Sequence, residues 1–111
     1  MNWNLIKEKY PKAYKEGQDW WVAHAEIYEP AFLFNIGNRF LYDFFDEQGI
    51  IIQIKFFWKA EVLGKKWSYE ISNDFEYIYS SNLNDSITYS NRTEAEEQAF
   101  IKAFEILEDK L

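Results

Sequence analysis

His24 is the chain's one histidine, and an imidazole can serve as general acid, general base or metal ligand near neutral pH. With Glu26 it forms a His-x-Glu triplet like the one that opens the nucleobase-deaminase signature. That site also needs a downstream cysteine pair, and the chain has no cysteine. Disulfides, thiolate metal sites and a cysteine nucleophile are removed with it. Asp43, Asp46 and Glu47 share one face of an expected helix, and Asp43 and Glu47 stand one turn apart. Their oxygens would suit a hard cation such as Mg²⁺, so Asp43 and Glu47 are the candidate metal residues. Together with His24 they would furnish a small metal-dependent hydrolytic enzyme. An amphipathic helix ordinarily turns such a face to water, however, and His24 sits on an aromatic stripe where packing accounts for it. No catalytic residue, cofactor or metal is assigned, and the expectation is a protein that is not an enzyme.

Two further sets could recognise a partner. Lys55 and Lys59 alternate with Phe57 along an expected strand, with Lys65 and Lys66 in the turn that follows. A sheet face carrying aromatic and basic residues can stack single-stranded bases. Tyr77, Tyr79 and Tyr89 flank the Asn/Ser-rich segment 80–86, a combination of rigid aromatics and small polar groups found on adaptable contact surfaces. Phe57, Lys55, Lys59, Tyr77 and Tyr79 are therefore the expected partner-binding residues.

Charge selects among the partners. The 111 residues carry a net charge of −7, which repels nucleic acid over most of a surface, since phosphate neutralisation supplies most of that affinity. A nucleic-acid-binding sheet is accordingly the disfavoured alternative, and a protein partner the favoured one. Aromatic residues make up 21% of the chain, more than core packing need absorb, and part of that excess is expected at an interface. No apolar run approaches a membrane span and the start of the chain has no apolar leader, so a protein with no membrane partner is expected in the cytoplasm.

The elements that would position these groups follow from period and punctuation. The stretch Asn38–Trp58 organises the rest. Phe40, Leu41, Phe44 and Phe45 stack on one helical stripe, with Asn38 as the expected cap and Gly49 as the left-handed stop. Ile50, Ile52, Ile54, Phe56 and Trp58 then alternate with Ile51, Gln53, Lys55, Phe57 and Lys59, so the first set is the expected core face. Before this stretch, Asn2 caps a short helix ending near Lys9, and Pro11 opens a second helix expected to run to about Tyr28. Gly17 lies on that helix's apolar stripe, as though another element approached closely. Residues 29–37 read as a buried connector. After it, a hairpin turn over 61–66 leads to strands around Trp67–Ile71 and Phe75–Tyr79, and Ile87 and Tyr89 could rejoin the sheet. Thr93 and Glu96 form a capping box for a last helix with the stripe Ala95, Ala99, Phe100, Ala103, Phe104, Leu107 and Leu111. The expectation is one α+β domain, α-α-α-β-β-β-α, with a three- or four-stranded antiparallel sheet packed with helices.

The blocks NLIKEKYPKAY, LYDFFDEQGIIIQI, WSYEI and RTEAEEQAFIKAFEILEDKL together resemble a group of small uncharacterised proteins from phages and prophages of Bacteroidetes. The resemblance implies a phage or mobile-element origin and expression in a bacterial host cell, and it brings no catalytic residues with it. Joined to the charge and the aromatic excess, it leads to the expectation of an acidic accessory protein. Such a protein would act by binding itself as a homo-oligomer, or a host factor such as a defence enzyme.

Overall fold

The computed structural model describes residues 1–24, 38–56, 67–73, 77–85 and 87–111, without the side chains of Asn38, Arg39 and Tyr77. The order α-α-α-β-β-β-α is the expected one, with one additional turn of helix after the third strand. Helix α1 spans Trp3–Lys9, and Asn2 caps it by accepting the Leu5 N–H at 3.2 Å. Helix α2 spans Pro11–Ala23, with proline at its first position.

The α2 helix stops short of the expected Tyr28. His24 is its C-cap, and both its backbone N–H and its ring Nδ1 bond the Trp20 carbonyl, at 3.1 and 2.7 Å. The carbonyl is thus shared between the backbone and the ring, and His24 itself has left the helical conformation, with φ −115° and ψ 16°. The expected helical residues 25–28, the connector 29–37, the turn 61–66 and the strand residues Phe57, Trp58, Lys59 and Phe75 lie outside the described residues.

Helix α3, Asn38–Glu47, carries the organising stripe as expected: Phe40, Leu41, Phe44 and Phe45 are all buried. Asn38 is the first residue of the helix rather than a cap ahead of it. At the other end Gly49 adopts φ +76°, its N–H bonds Asp46 O at 3.0 Å, and the Ile50 N–H bonds Phe45 O at 2.8 Å. This paired closure of the last carbonyls requires the left-handed residue that glycine supplies.

Strands β1 (Ile51–Phe56), β2 (Trp67–Ser72) and β3 (Tyr77–Ser80) form an antiparallel sheet in that order. Ile52 pairs with Ile71, Ile54 with Tyr69, Phe56 with Trp67, and Ile71 also with Tyr79. These residues share the core face, as the alternation predicted through Ile54. At Phe56 the expectation fails, because the ring is 51% exposed: the core ends before the strand does. Tyr89 joins the sheet by a single bridge, exchanging bonds of 3.0 and 2.7 Å with Trp67.

The polar segment after β3 folds into helix α4, Ser81–Asp85, where a loop was expected. Ser80 Oγ accepts the Leu83 N–H at 3.2 Å, and Asn84 Oδ1 accepts the Ser80 N–H at 2.9 Å. These reciprocal side-chain bonds satisfy the first donors of a helix too short to persist by itself.

Helix α5, Arg92–Lys110, lies against the core face with Ala95, Ala99, Phe100, Ala103, Phe104 and Leu107 buried, while Leu111 beyond its end is half exposed. Its cap is Asn91, whose Oδ1 accepts the Glu94 N–H at 2.9 Å, not the expected Thr93. Glu96, expected to complete the capping box, is buried and accepts the Tyr42 O–H at 2.8 Å.

The far end of α5 closes two other helices. Helix α2 has no side-chain cap of its own, and Glu108 supplies one, accepting the Lys12 N–H at 3.1 Å and the Ala13 N–H at 2.9 Å. Lys110 Nζ donates to the Gln48 carbonyl at 3.2 Å, at the end of α3. Both charges suit the helix ends they meet.

A Cβ placed on Gly17 would stand 3.6 Å from Phe44 and 3.9 Å from Phe104, ordinary contact distances, so close approach does not demand glycine there. At Gly49 space is open and only the backbone angle resists. Gly17→Ala is expected to stabilise the fold by about 0.5–1 kcal/mol and Gly49→Ala to destabilise it by about 1–2 kcal/mol. Urea melts giving the same sign for both would contradict the two backbone assignments. Glu108→Ala is expected to cost about 1–2 kcal/mol, the value of a lost helix cap, and Glu105→Ala serves as the control on the same helix.

Candidate functional site

His24 and Glu47 do meet in space. The His24 ring stacks on Trp20, with centroids 3.9 Å apart and planes 16° from parallel. Because a carbonyl can only accept, the bond to Trp20 O puts a proton on Nδ1 and turns Nε2 toward Glu47, 4.0 Å from its Oε2. That same oxygen accepts the indole N–H of Trp20. Glu47 thus ties α3 to the end of α2, and the ring and carboxylate are arranged as a brace. Asp46 is held above the ordinary carboxylate range by partial burial and by the neighbouring Asp43 charge. No group of three or more metal-ligating side chains converges among the described residues.

The expected partner surface is divided by the sheet. Lys55 pairs opposite Ser68 on the face turned away from the core and forms an ion pair with Glu70 at 3.0 Å. Tyr79 stands on the core face beside Tyr69, with ring centroids 5.7 Å apart. Its O–H donates to Asp85 and the Lys102 ammonium lies 4.5 Å from its ring centre. Lys55 and Tyr79 therefore do not share one surface. Phe57 and Lys59 lie outside the described residues, as does the Tyr77 side chain.

Two other features stand out, and neither was singled out by residue type or spacing. The first is the pair Phe56 and Trp67, ring centroids 4.9 Å apart, where the apolar sheet face becomes exposed at Phe56. It lies beside the outer edge of β1, which has no strand partner among the described residues.

The second is a cavity of about 360 Å³ bounded by α1, α2, α3 and α5. Trp3, Tyr14, Trp21, Phe40 and Phe104 wall it, and Gly17 adds a stretch without a side chain. The exposed residues Gln18, Asp19 and Val22 stand at its mouth. Trp21 Nε1 is buried and has no hydrogen-bond partner among the described residues. A buried donor left in that state costs about 1–3 kcal/mol, so this orphan needs a reason.

No family model, curated protein or solved structure matches the chain. Among the described residues no helix is long and apolar enough to cross a membrane.

The tyrosines give a pH signature. Burial, then the neighbouring Tyr79 and Tyr89, raise the Tyr69 phenol well above its ordinary value. Burial and the bond to Glu96 do the same for Tyr42, and burial and the bond to Asp85 push Tyr79 up to about 12. Above about pH 10 the unfolded chain loses phenolic protons that the folded chain keeps, so stability falls with rising pH. The contribution is complete below about pH 10 and is lost as pH climbs through the raised values. Urea midpoints are expected to drop between pH 10 and pH 12, roughly, with Tyr69→Phe showing a shallower drop. A midpoint flat across that window would remove the assignment.

Proposed function

We propose that this chain is a small acidic accessory protein of phage or mobile-element origin that works in a bacterial cytoplasm by binding a protein, either a second copy or a host factor. The observation that carries the reading is the exposed Phe56 beside Trp67, at the edge of β1 that has no strand partner among the described residues. An edge strand offers a row of backbone donors and acceptors to an incoming strand, and an aromatic pair beside it supplies an anchor. Lys55 and Tyr79, held by Glu70 and Asp85, take no part in this version of the surface. The net charge of −7 favours a partner with a basic contact face and disfavours nucleic acid.

The test uses Phe56→Asp, which places a charge at the anchor while leaving the core untouched. Its urea stability is expected to stay within about 1 kcal/mol of wild type. Sedimentation reads self-association and affinity capture from bacterial lysate reads a host factor. The expected result is an interaction of the wild type, with itself or with one captured protein, that weakens at least about tenfold in the variant. An interaction of unchanged strength in Phe56→Asp would place the contact elsewhere, and a monomeric wild type that captures nothing would end the reading.

A further inference from the structure

We propose that His24 Nε2 and the Glu47 carboxylate form a two-residue site for a divalent transition-metal ion of the zinc class, where the end of α2 meets the end of α3. The inference stands apart from the sheet-edge reading, which uses neither residue.

Three observations converge on it. The first is the direction of the imidazole. Its Nδ1–H is committed to the Trp20 carbonyl at 2.7 Å, so the neutral ring keeps its lone pair on Nε2. That nitrogen stands 4.0 Å from Glu47 Oε2. A lone pair and a carboxylate oxygen are both electron-rich and repel one another, and a cation between them turns the repulsion into two bonds. A histidine that ligates a metal characteristically donates its other ring N–H to a backbone carbonyl or carboxylate, which fixes the tautomer and makes the ligating nitrogen more basic.

The second observation is that one residue orients both ligands. Trp20 accepts the His24 Nδ1–H on its carbonyl, stacks on the imidazole with centroids 3.9 Å apart, and donates its indole N–H to Glu47. Carboxylates that ligate metals are themselves hydrogen-bonded in this way. Both donors are therefore aimed before an ion arrives.

The third is fit and access. Zinc bonds an imidazole nitrogen and a carboxylate oxygen at about 2.0–2.2 Å, and a tetrahedral angle sets two such donors about 3.4 Å apart. The half-exposed Glu47 side chain need close by only about half an ångström. Three protein ligands do not converge among the described residues, so water completes the shell, and the exposure of both side chains admits it. The imidazole nitrogen selects the zinc class over Mg²⁺, which asks for oxygen alone. A net charge of −7 concentrates cations around the chain.

Zn²⁺ is titrated into the protein at slightly alkaline pH while the imidazole nitrogen and carboxyl carbon resonances are followed by NMR. His24 is the one histidine, so its two ring nitrogens are identified without ambiguity. The Nε2 signal is expected to move saturably, to one ion per chain, with the Glu47 carboxyl signal on the same isotherm and Nδ1 keeping its proton. Mg²⁺ at the same concentrations is expected to leave both ring signals in place. Glu47→Gln, whose amide oxygen can still accept the Trp20 N–H, is expected to weaken Zn²⁺ at least about tenfold. Glu105→Gln, which removes one carboxylate from α5, is expected to change it less than about twofold. Ring nitrogens indifferent to Zn²⁺, or coordination through Nδ1, would overturn the site. Equal weakening by the two substitutions would reduce it to an ion held by general surface charge. Should Glu47→Gln fail to fold, the wild-type Glu47 carboxyl signal decides the carboxylate's part, and its indifference to Zn²⁺ would overturn it.

Discussion

The structure depends on one seam of rings between α3 and α5. Phe44 and Phe45 from one helix and Phe100 and Phe104 from the other are at most 1% exposed. Phe45 stands edge-on to Phe104 at 5.0 Å and parallel to Phe100 at 6.4 Å. Such contacts add about 0.5–1.5 kcal/mol each to the burial they bring, and here they share members, so the four rings act as one block. The block fixes the angle between the two helices. Everything that reaches across the molecule is measured from it: the alanines of α5 set that helix on the sheet, and Glu108 and Lys110 arrive at the ends of α2 and α3. Those two bonds are consequences of the seam, because a cap supplied from a distant helix works only where both axes are already placed.

Much of this was legible in the chain. The α3 stripe, its glycine stop, the alternation of β1 and the small-residue face of α5 each rest on a local rule, and each local rule agreed with the tertiary packing. The errors came where two local rules competed or where a distant group intervened. Thr93 and Asn91 both suit the start of α5. The carboxylate that would have favoured Thr93 is Glu96, and Tyr42 takes it from 54 positions away. The segment after β3 has the composition of a loop, and becomes a helix because Ser80 and Asn84 bond each other's surroundings. Along β1 the alternation continues to Phe56 without a change of residue type, and nothing in the strand marks where burial gives way to exposure.

The candidate site was less legible for a related reason. His24, Asp43 and Glu47 are candidates by their chemistry, and the structure does bring His24 toward Glu47, at the junction of α2 and α3. The imidazole bonds a carbonyl of the last turn of α2 and the carboxylate receives an indole. Tyr79 was chosen as a contact residue by type, while its place is decided by the register with Ile71, which turns it inward beneath Lys102. Lys55, two strands away in the same sheet, is turned outward by the same rule. A one-residue alternation thus divides a surface that composition alone joined together.

Trp20 and Trp21 show most sharply what local rules leave undecided in so aromatic a chain. Their intrinsic chemistry is identical, and they are neighbours on α2, so no rule of propensity or period separates their polar tips. The difference comes from α3, which brings Glu47 to one indole and, among the described residues, nothing to the other. The apolar bodies of such residues are interchangeable contributions to a core, and a sequence rich in them specifies burial readily. Their N–H and O–H groups are not interchangeable, since each must find an acceptor or remain a cost. Tyr42 finds Glu96, Tyr79 finds Asp85 and Trp20 finds Glu47, and each of these bonds joins two elements of the fold or closes a turn between them.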